Sequence, residues 1–156
     1  MLRVAGASTM TLREAQGADY PAILALLTAS GLPTEDIASA RPFFFVACDA
    51  SAVVGVGAIQ PFGKSALLRS VAVSPAIRGT GAGAALLRRL EQHATALGVT
   101  EIGLLTQTAK AFFEKHGYEV IERDQVPMLH ASEEFRTLCP ASAVCMRKRL
   151  KHAHHE

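Results

Sequence analysis

The chain has no tryptophan and only two tyrosines, and aromatic residues make up 6% of its 156 positions. It lacks an excess of either charge: 16 Lys and Arg stand against 14 Asp and Glu, for a formal net charge of +2. Few aromatics and scattered basic residues argue against a nucleic-acid partner. The one basic cluster, Arg147 to Lys151, falls at the end of an expected strand and reads as a solvated end. No apolar run approaches the roughly 20 residues of a membrane span, so no membrane partner is expected. Residues 1–10 carry one Arg and no apolar stretch before a cleavage site, so no signal peptide is expected either. Three cysteines, Cys48, Cys139 and Cys145, are odd in number and unevenly spaced. That excludes a disulfide framework and fits reduced thiols in the cytoplasm. Their spacing matches no metal motif, and none is expected.

What is present is apolar substance, at 49% of residues, enough for one domain with a real core. We expect a tail over 1–9, a domain over 10–150 and a second tail over 151–156. Apolar runs at 10–14, 43–48, 53–60, 67–73, 102–105, 118–121 and 143–150 read as strands. Helical spacing predicts helices over 18–29, with Pro21 in the first turn, and over 34–38, 83–97 and 108–115. Ser132 is placed to cap a further turn through Leu138. The unit from 67 to 105 is strand, helix, strand, which implies a parallel pair with a crossover helix. The expected architecture is α/β (α+β): a mixed sheet of six to seven strands, mostly antiparallel, with flanking helices.

One segment speaks of function. Residues 67–73 form an apolar strand, a short loop follows, and Arg78-Gly79-Thr80-Gly81-Ala82-Gly83 opens the longest helix. Glycines let a ligand approach the backbone closely. A helix start offers free N–H donors and the positive end of its dipole. Together these suit a pyrophosphate. A loop that only turns the chain needs one glycine, whereas three occur here in five residues. A dinucleotide fold fails on context, because the strand ends about five residues before the glycines and only one crossover unit is present.

The pattern Arg78-x-x-Gly81-x-Gly83, led by Val71-Ala72-Val73-Ser74-Pro75, resembles the acetyl-CoA signature of the GNAT N-acetyltransferase superfamily. Ala109 to Tyr118 is similar to that family's second motif, and element order agrees from about Met10 to Leu150. Leu105 to Ala109 followed by Phe112-Phe113 is similar to the catalytic domain of N-acetylglutamate synthases. Glu134 to Met146 is similar to the small GNAT proteins of bacterial arsenic-resistance operons.

The resemblance implies a GNAT fold with splayed central parallel strands, acetyl-CoA as cosubstrate, and transfer of acetyl to a small amino-acid-like amine by direct attack on the thioester. It implies that Arg78, Gly79, Thr80, Gly81, Ala82 and Gly83 hold the pyrophosphate. Val71 and Val73 would hold the pantetheine arm through their backbones, with Val71 as oxyanion donor. Both also suit the core as strand residues. Thr106, Thr108 and Phe113 are expected at the coenzyme, and a homodimer is admitted. Arg69, Arg136 and Ser142 are candidates for the acceptor, Arg69 through a carboxylate, although a salt-bridged surface arginine is an equal reading. The family often places a Glu on the central strands as base; none stands there, and the loop residue His130 is the candidate. Phe113 stands where the family often has an acidic Tyr. Tyr118 reads as a core aromatic. The missing base and acid leave a second reading open, a non-catalytic acyl-CoA sensor.

Overall fold

A computed structural model describes residues 2–3, 10–132, 135 and 142–150. The strands are β1 (Leu2–Arg3), β2 (Met10–Glu14), β3 (Phe43–Asp49), β4 (Ala52–Phe62), β5 (Ser65–Val73), β6 (Glu101–Thr106), β7 (Glu119–Val120) and β8 (Val144–Arg149). The helices are α1 (Tyr20–Ala29), α2 (Ile37–Ala40), α3 (Ala82–Ala96) and α4 (Lys110–Lys115). The strands hydrogen-bond in the order β1-β2-β3-β4-β5-β6-β8-β7. The expected mixed sheet is present, with eight strands in place of six or seven. The extra one, β1, is two residues long and carries no periodicity a sequence could display. The chain groups into two compact units, Met1–Ile59 with Ser70–Leu90 and Gln60–Arg69 with Glu91–Glu156.

In the first unit, β2 pairs antiparallel with β1 and β3, and β3 with β4. Alternation along β3 and β4 sends two sets of side chains to opposite faces. Phe44, Val46, Cys48, Val56 and Ala58 pack with Ile23 and Leu27 of α1, Ile37 of α2 and Ala72 of β5. On the other face, β4 presents Gly55 and Gly57. A Cβ at Gly57 would stand 2.6 Å from Leu90 Cδ1, and one at Gly55 3.1 Å from Leu86 Cδ1. The glycines therefore let α3 lie close against β4. Phe45, on that same face, is capped by the Arg89 guanidinium 4.5 Å from its ring centre. This contact leaves Arg89 half-buried.

The start of α1 shifts from the expected Ala18 to Tyr20, because Gly17–Asp19 forms a 3-10 turn. Asp19 closes that turn by accepting from the Gln16 N–H at 2.7 Å. It also accepts two parallel bonds from Arg13, Nη1 to Oδ2 at 2.7 Å and Nη2 to Oδ1 at 2.9 Å.

In the second unit, β5 and β6 form a parallel ladder of three pairs, Ser65 with Glu101, Ala66 with Ile102 and Leu67 with Gly103. β6 continues antiparallel with β8 from Glu101–Arg149 to Thr106–Val144, and β7 lines the far side of β8. Leu67, Val126, Leu129, Phe135 and Cys145 make its core. Val126 sits between two 3-10 turns, Arg123–Gln125 and Pro127–Ala131, and Leu129 lies within the second. The turn expected over 132–138 lies mostly outside the described residues.

The Arg13–Asp19 pair makes a pH-dependent prediction. Arg13 first, then the Gln16 N–H, holds the Asp19 carboxyl at about 2, below its ordinary 3.8. A depressed carboxyl contributes stability that is full above its unfolded value and fades as pH falls through the folded one. Asp19→Asn is expected to cost about 1 kcal/mol at neutral pH. In urea titrations, the difference from the parent chain should shrink as pH falls from about 4 to 2. A difference independent of pH across that window would contradict the assignment.

Candidate functional site

The segment after β5 is built to present backbone. Ser74 donates its N–H to the Val54 carbonyl at 2.8 Å, which fastens the strand end. Ser74 Oγ then accepts from Ala76 N at 3.4 Å and starts a 3-10 turn over Pro75–Ile77. Gly79 and Gly81 follow with φ of +86° and +88°, a region that other L residues enter only with strain. Between them, Thr80 Oγ1 donates to the Ile77 carbonyl at 2.6 Å and accepts from Ala82 N at 3.4 Å. The first helical bond of α3 runs from Ala85 N to Gly81 O at 3.0 Å. Helix geometry thus leaves the N–H groups of Gly83 and Ala84 without an acceptor in their own helix. Arg78, Gly79 and Gly81 are exposed, and Thr80, Gly83 and Ala84 are half-buried.

Val71 and Val73 lie on β5 beyond the last pair of its ladder with β6, and both are half-buried. Ser70, just before Val71, has φ of +59°. A non-glycine residue in that region breaks the strand's alternation, costs about 1–3 kcal/mol, and re-aims the backbone that follows. Nothing in local composition announces it.

Arg69 is buried, at 2% exposure. That decides against the surface-arginine reading: β5 lies between β4 and β6 in the strand order. Its Nη1 donates to Gln60 Oε1 at 3.2 Å, and Ser132 Oγ donates to the same oxygen at 3.5 Å. Ser132 Oγ in turn accepts from Phe135 N at 3.4 Å. This polar trio joins residues 72 positions apart in sequence, which a local pattern cannot show.

Thr106 Oγ1 accepts from Ala109 N at 3.0 Å and so shapes the entry to α4, while Thr108 is exposed. Phe113 is buried, edge-on to Phe112 and Tyr118. Tyr118 is a core residue, as expected, and its OH donates to Glu91 Oε2 at 2.9 Å. Burial, and then the Glu91 charge, push its phenol above the ordinary value, so it is a poor proton donor. His130 is exposed, with Nε2 3.2 Å from the Arg123 carbonyl and its ring edge-on to Phe135. Ser142 is exposed and accepts from Gln107 Nε2 at 3.3 Å. Arg136, Cys139 and the histidines at 152, 154 and 155 lie outside the described residues. Cys48 and Cys145 are buried free thiols, and burial pushes Cys145 up to about 11. Among the described residues, no group of three or more His, Cys, Asp or Glu could hold a metal. No helix among them is long and apolar enough to cross a membrane.

Known proteins share this fold. The Acetyltransferase (GNAT) domain family matches residues 40–120, from just before β3 through β7. The chain belongs to the GNAT acetyltransferase family. An amino-acid acetyltransferase of Pseudomonas syringae pv. syringae is 33% identical over 82 residues, covering 51% of this chain and 19% of the relative. N-acetylglutamate synthase from Neisseria gonorrhoeae, solved with coenzyme A and N-acetyl-glutamate, superposes with a TM-score of 0.80 at 20% identity, over 92% of this chain and 35% of that one. Rv2747 from Mycobacterium tuberculosis, solved with CoA, superposes with a TM-score of 0.74 at 26% identity, over 90% and 99%. This GNAT chain thus spans about a fifth of the length of the amino-acid acetyltransferase it matches.

The strained Ser70 is testable without any ligand. Ser70→Val should lose about 1–3 kcal/mol in chemical denaturation, because a β-branched residue resists positive φ. Ser70→Gly should retain parent stability more nearly. Equal losses for both would show that the backbone conformation is not what matters there.

Proposed function

We propose that this GNAT chain is an acetyl-CoA-dependent N-acetyltransferase that moves acetyl to the amine of a small amino-acid-like acceptor by direct attack on the thioester. One observation carries the reading: two positive-φ glycines bring an exposed loop to the open N–H groups at the start of α3. Those residues fit a diphosphate, since side chains are absent where the ligand's oxygens would approach and the helix dipole favours negative charge. Arg78 adds a positive charge at the loop's entry. Gly79, Gly81 and Gly83 would bind through backbone amides, while Thr80 and Ala82 hold the loop in shape, the Thr80 N–H and hydroxyl being committed to the Ile77 carbonyl and the Ala82 N–H to Thr80 Oγ1.

The coenzyme supplies an activated acetyl group. Val71 and Val73 would pair with its pantetheine arm through their backbones. The Val71 N–H would face the thioester oxygen and stabilise the charge that develops there. Thr106, Thr108 and Phe113 are assigned to the coenzyme from the same family likeness. The acceptor nitrogen bonds to the carbonyl carbon, the C–S bond breaks, the nitrogen gives up its remaining extra proton to solvent, and the thiolate takes one up. A thiol near pKa 8.5 leaves as a weak base, so solvent suffices as the acid where Phe113 replaces the family's Tyr.

The acceptor must first lose a proton. The carboxylate on β6, Glu101, is occupied by Ser65 at 2.7 Å and Arg147 at 3.7 Å. His130 remains the candidate base. A free α-amine has a pKa of about 8, so roughly a tenth is neutral at pH 7. A lysine-type amine near 10.4 would cost about 4–5 kcal/mol for the same step. A site without a strong base therefore favours α-amines. Arg69, Arg136 and Ser142 are proposed to read the acceptor, with a carboxylate meeting Arg69. The likeness of 134–146 to arsenic-resistance-operon GNAT proteins adds toxic amino-acid analogues, arsenicals among them, to the candidate acceptors. The free thiols of Cys48 and Cys145 support a cytoplasmic setting.

Free-thiol release should be followed with acetyl-CoA and a panel of α-amino and ε-amino acceptors. Faster turnover of α-amines is expected, and faster ε-amine acetylation would contradict the reading. Gly81→Val should weaken coenzyme A binding at least about tenfold in calorimetry, because a β-branched side chain fits neither that φ nor that approach. Binding without thiol release across the panel would favour the acyl-CoA sensor instead.

A further inference from the structure

The second unit holds a charged cluster that the proposed chemistry does not use. Glu91, on the last half of α3, accepts from the Tyr118 OH at 2.9 Å. Lys148 on β8 sets its Nζ 3.1 and 3.2 Å from the two Glu91 oxygens and donates to the His116 carbonyl at 3.0 Å. Its ammonium also lies 5.7 Å from the centre of the Tyr118 ring. Tyr118 then meets Phe113 edge-on, with ring centres 5.5 Å apart. A continuous line of contacts runs from the carboxylate through the phenol to the Phe113 ring on α4.

The pair is largely shielded from solvent, with side chains 29% and 17% exposed. Such ion pairs contribute little net stability against an apolar equivalent, yet removing one partner is disruptive. Their directional bonds do fix geometry. Here they fix three things at once: the late turns of α3, the turn after α4, and β8.

We propose that Tyr118 is a positioning residue for acetyl-CoA, clamped by Glu91 and Lys148 so that Phe113 and α4 hold the place the coenzyme needs. The inference rests on the acetyltransferase reading and on Phe113's assignment within it. Tyr118→Phe keeps the ring and removes only the hydroxyl bond to Glu91. It should raise KM for acetyl-CoA about three- to tenfold, the net worth of one ordinary hydrogen bond, with kcat within about twofold. Lys148→Met should act likewise, and Lys148→Arg should restore KM. If Tyr118→Phe lowers the thermal midpoint and leaves KM unchanged, the cluster is only structural and the inference fails. An Arg variant as impaired as the Met variant also overturns it. Should Lys148→Met fail to fold, Tyr118→Phe decides alone. Calorimetry with coenzyme A separates the two levels: a parent chain that does not bind sinks the acetyltransferase reading and this inference together. Parent and variants that bind equally sink the inference only.

Discussion

Everything proposed for this chain depends on the close seat of α3 on β4. Gly55 and Gly57 remove the side chains that would hold the helix away, and Leu86 and Leu90 fill the space. An anion site made of backbone N–H groups has no long side chain to adjust its reach. Its precision is that of the helix itself. Packing by the glycine gap, by fully buried Leu86 and Leu90, and by Arg89 over Phe45 gives that helix one resting place.

The same logic explains why the glycines at 79 and 81 do different work from those at 55 and 57. The first pair supplies backbone conformations and open approach at the loop; the second supplies closeness between elements. Strain at Ser70 belongs with the first kind, because it redirects the strand just before Val71. In the second unit, polar contacts add to the apolar core around Leu67 and Leu129. Gln60 joins Arg69 to Ser132, and Glu91 joins Lys148 to Tyr118. Each links segments that the chain brings together only by folding.

Much of this architecture could be read beforehand because it is periodic or punctuated. The apolar positions Leu86, Leu87, Leu90 and Ala94 mark the buried stripe of α3, and Gly98 ends it. Leu97 fits the same spacing yet is 44% exposed, because the helix stops at Ala96 and the chain has already begun to turn. The second helix was expected at 34–38 and forms at 37–40, where Arg41 in the left-handed region terminates it. The turns at 123–125 and 127–131 are too short to show a period. Positive φ at Ser70 and burial of Arg69 are properties of a neighbourhood, not of a motif. The glycine loop was legible because glycines at alternate positions before an amphipathic helix have few other uses. The acceptor site was not, since its proposed residues are scattered from 69 to 142 and Arg136 lies outside the described residues.

The central claim is that the free amides opening α3 grip a diphosphate. Backbone amide NMR during titration with coenzyme A tests it most directly. The account predicts large, saturable shifts at Gly81, Gly83 and Ala84, reproduced by a diphosphate-bearing fragment of the coenzyme. Saturable binding that leaves those three amides unmoved would contradict it.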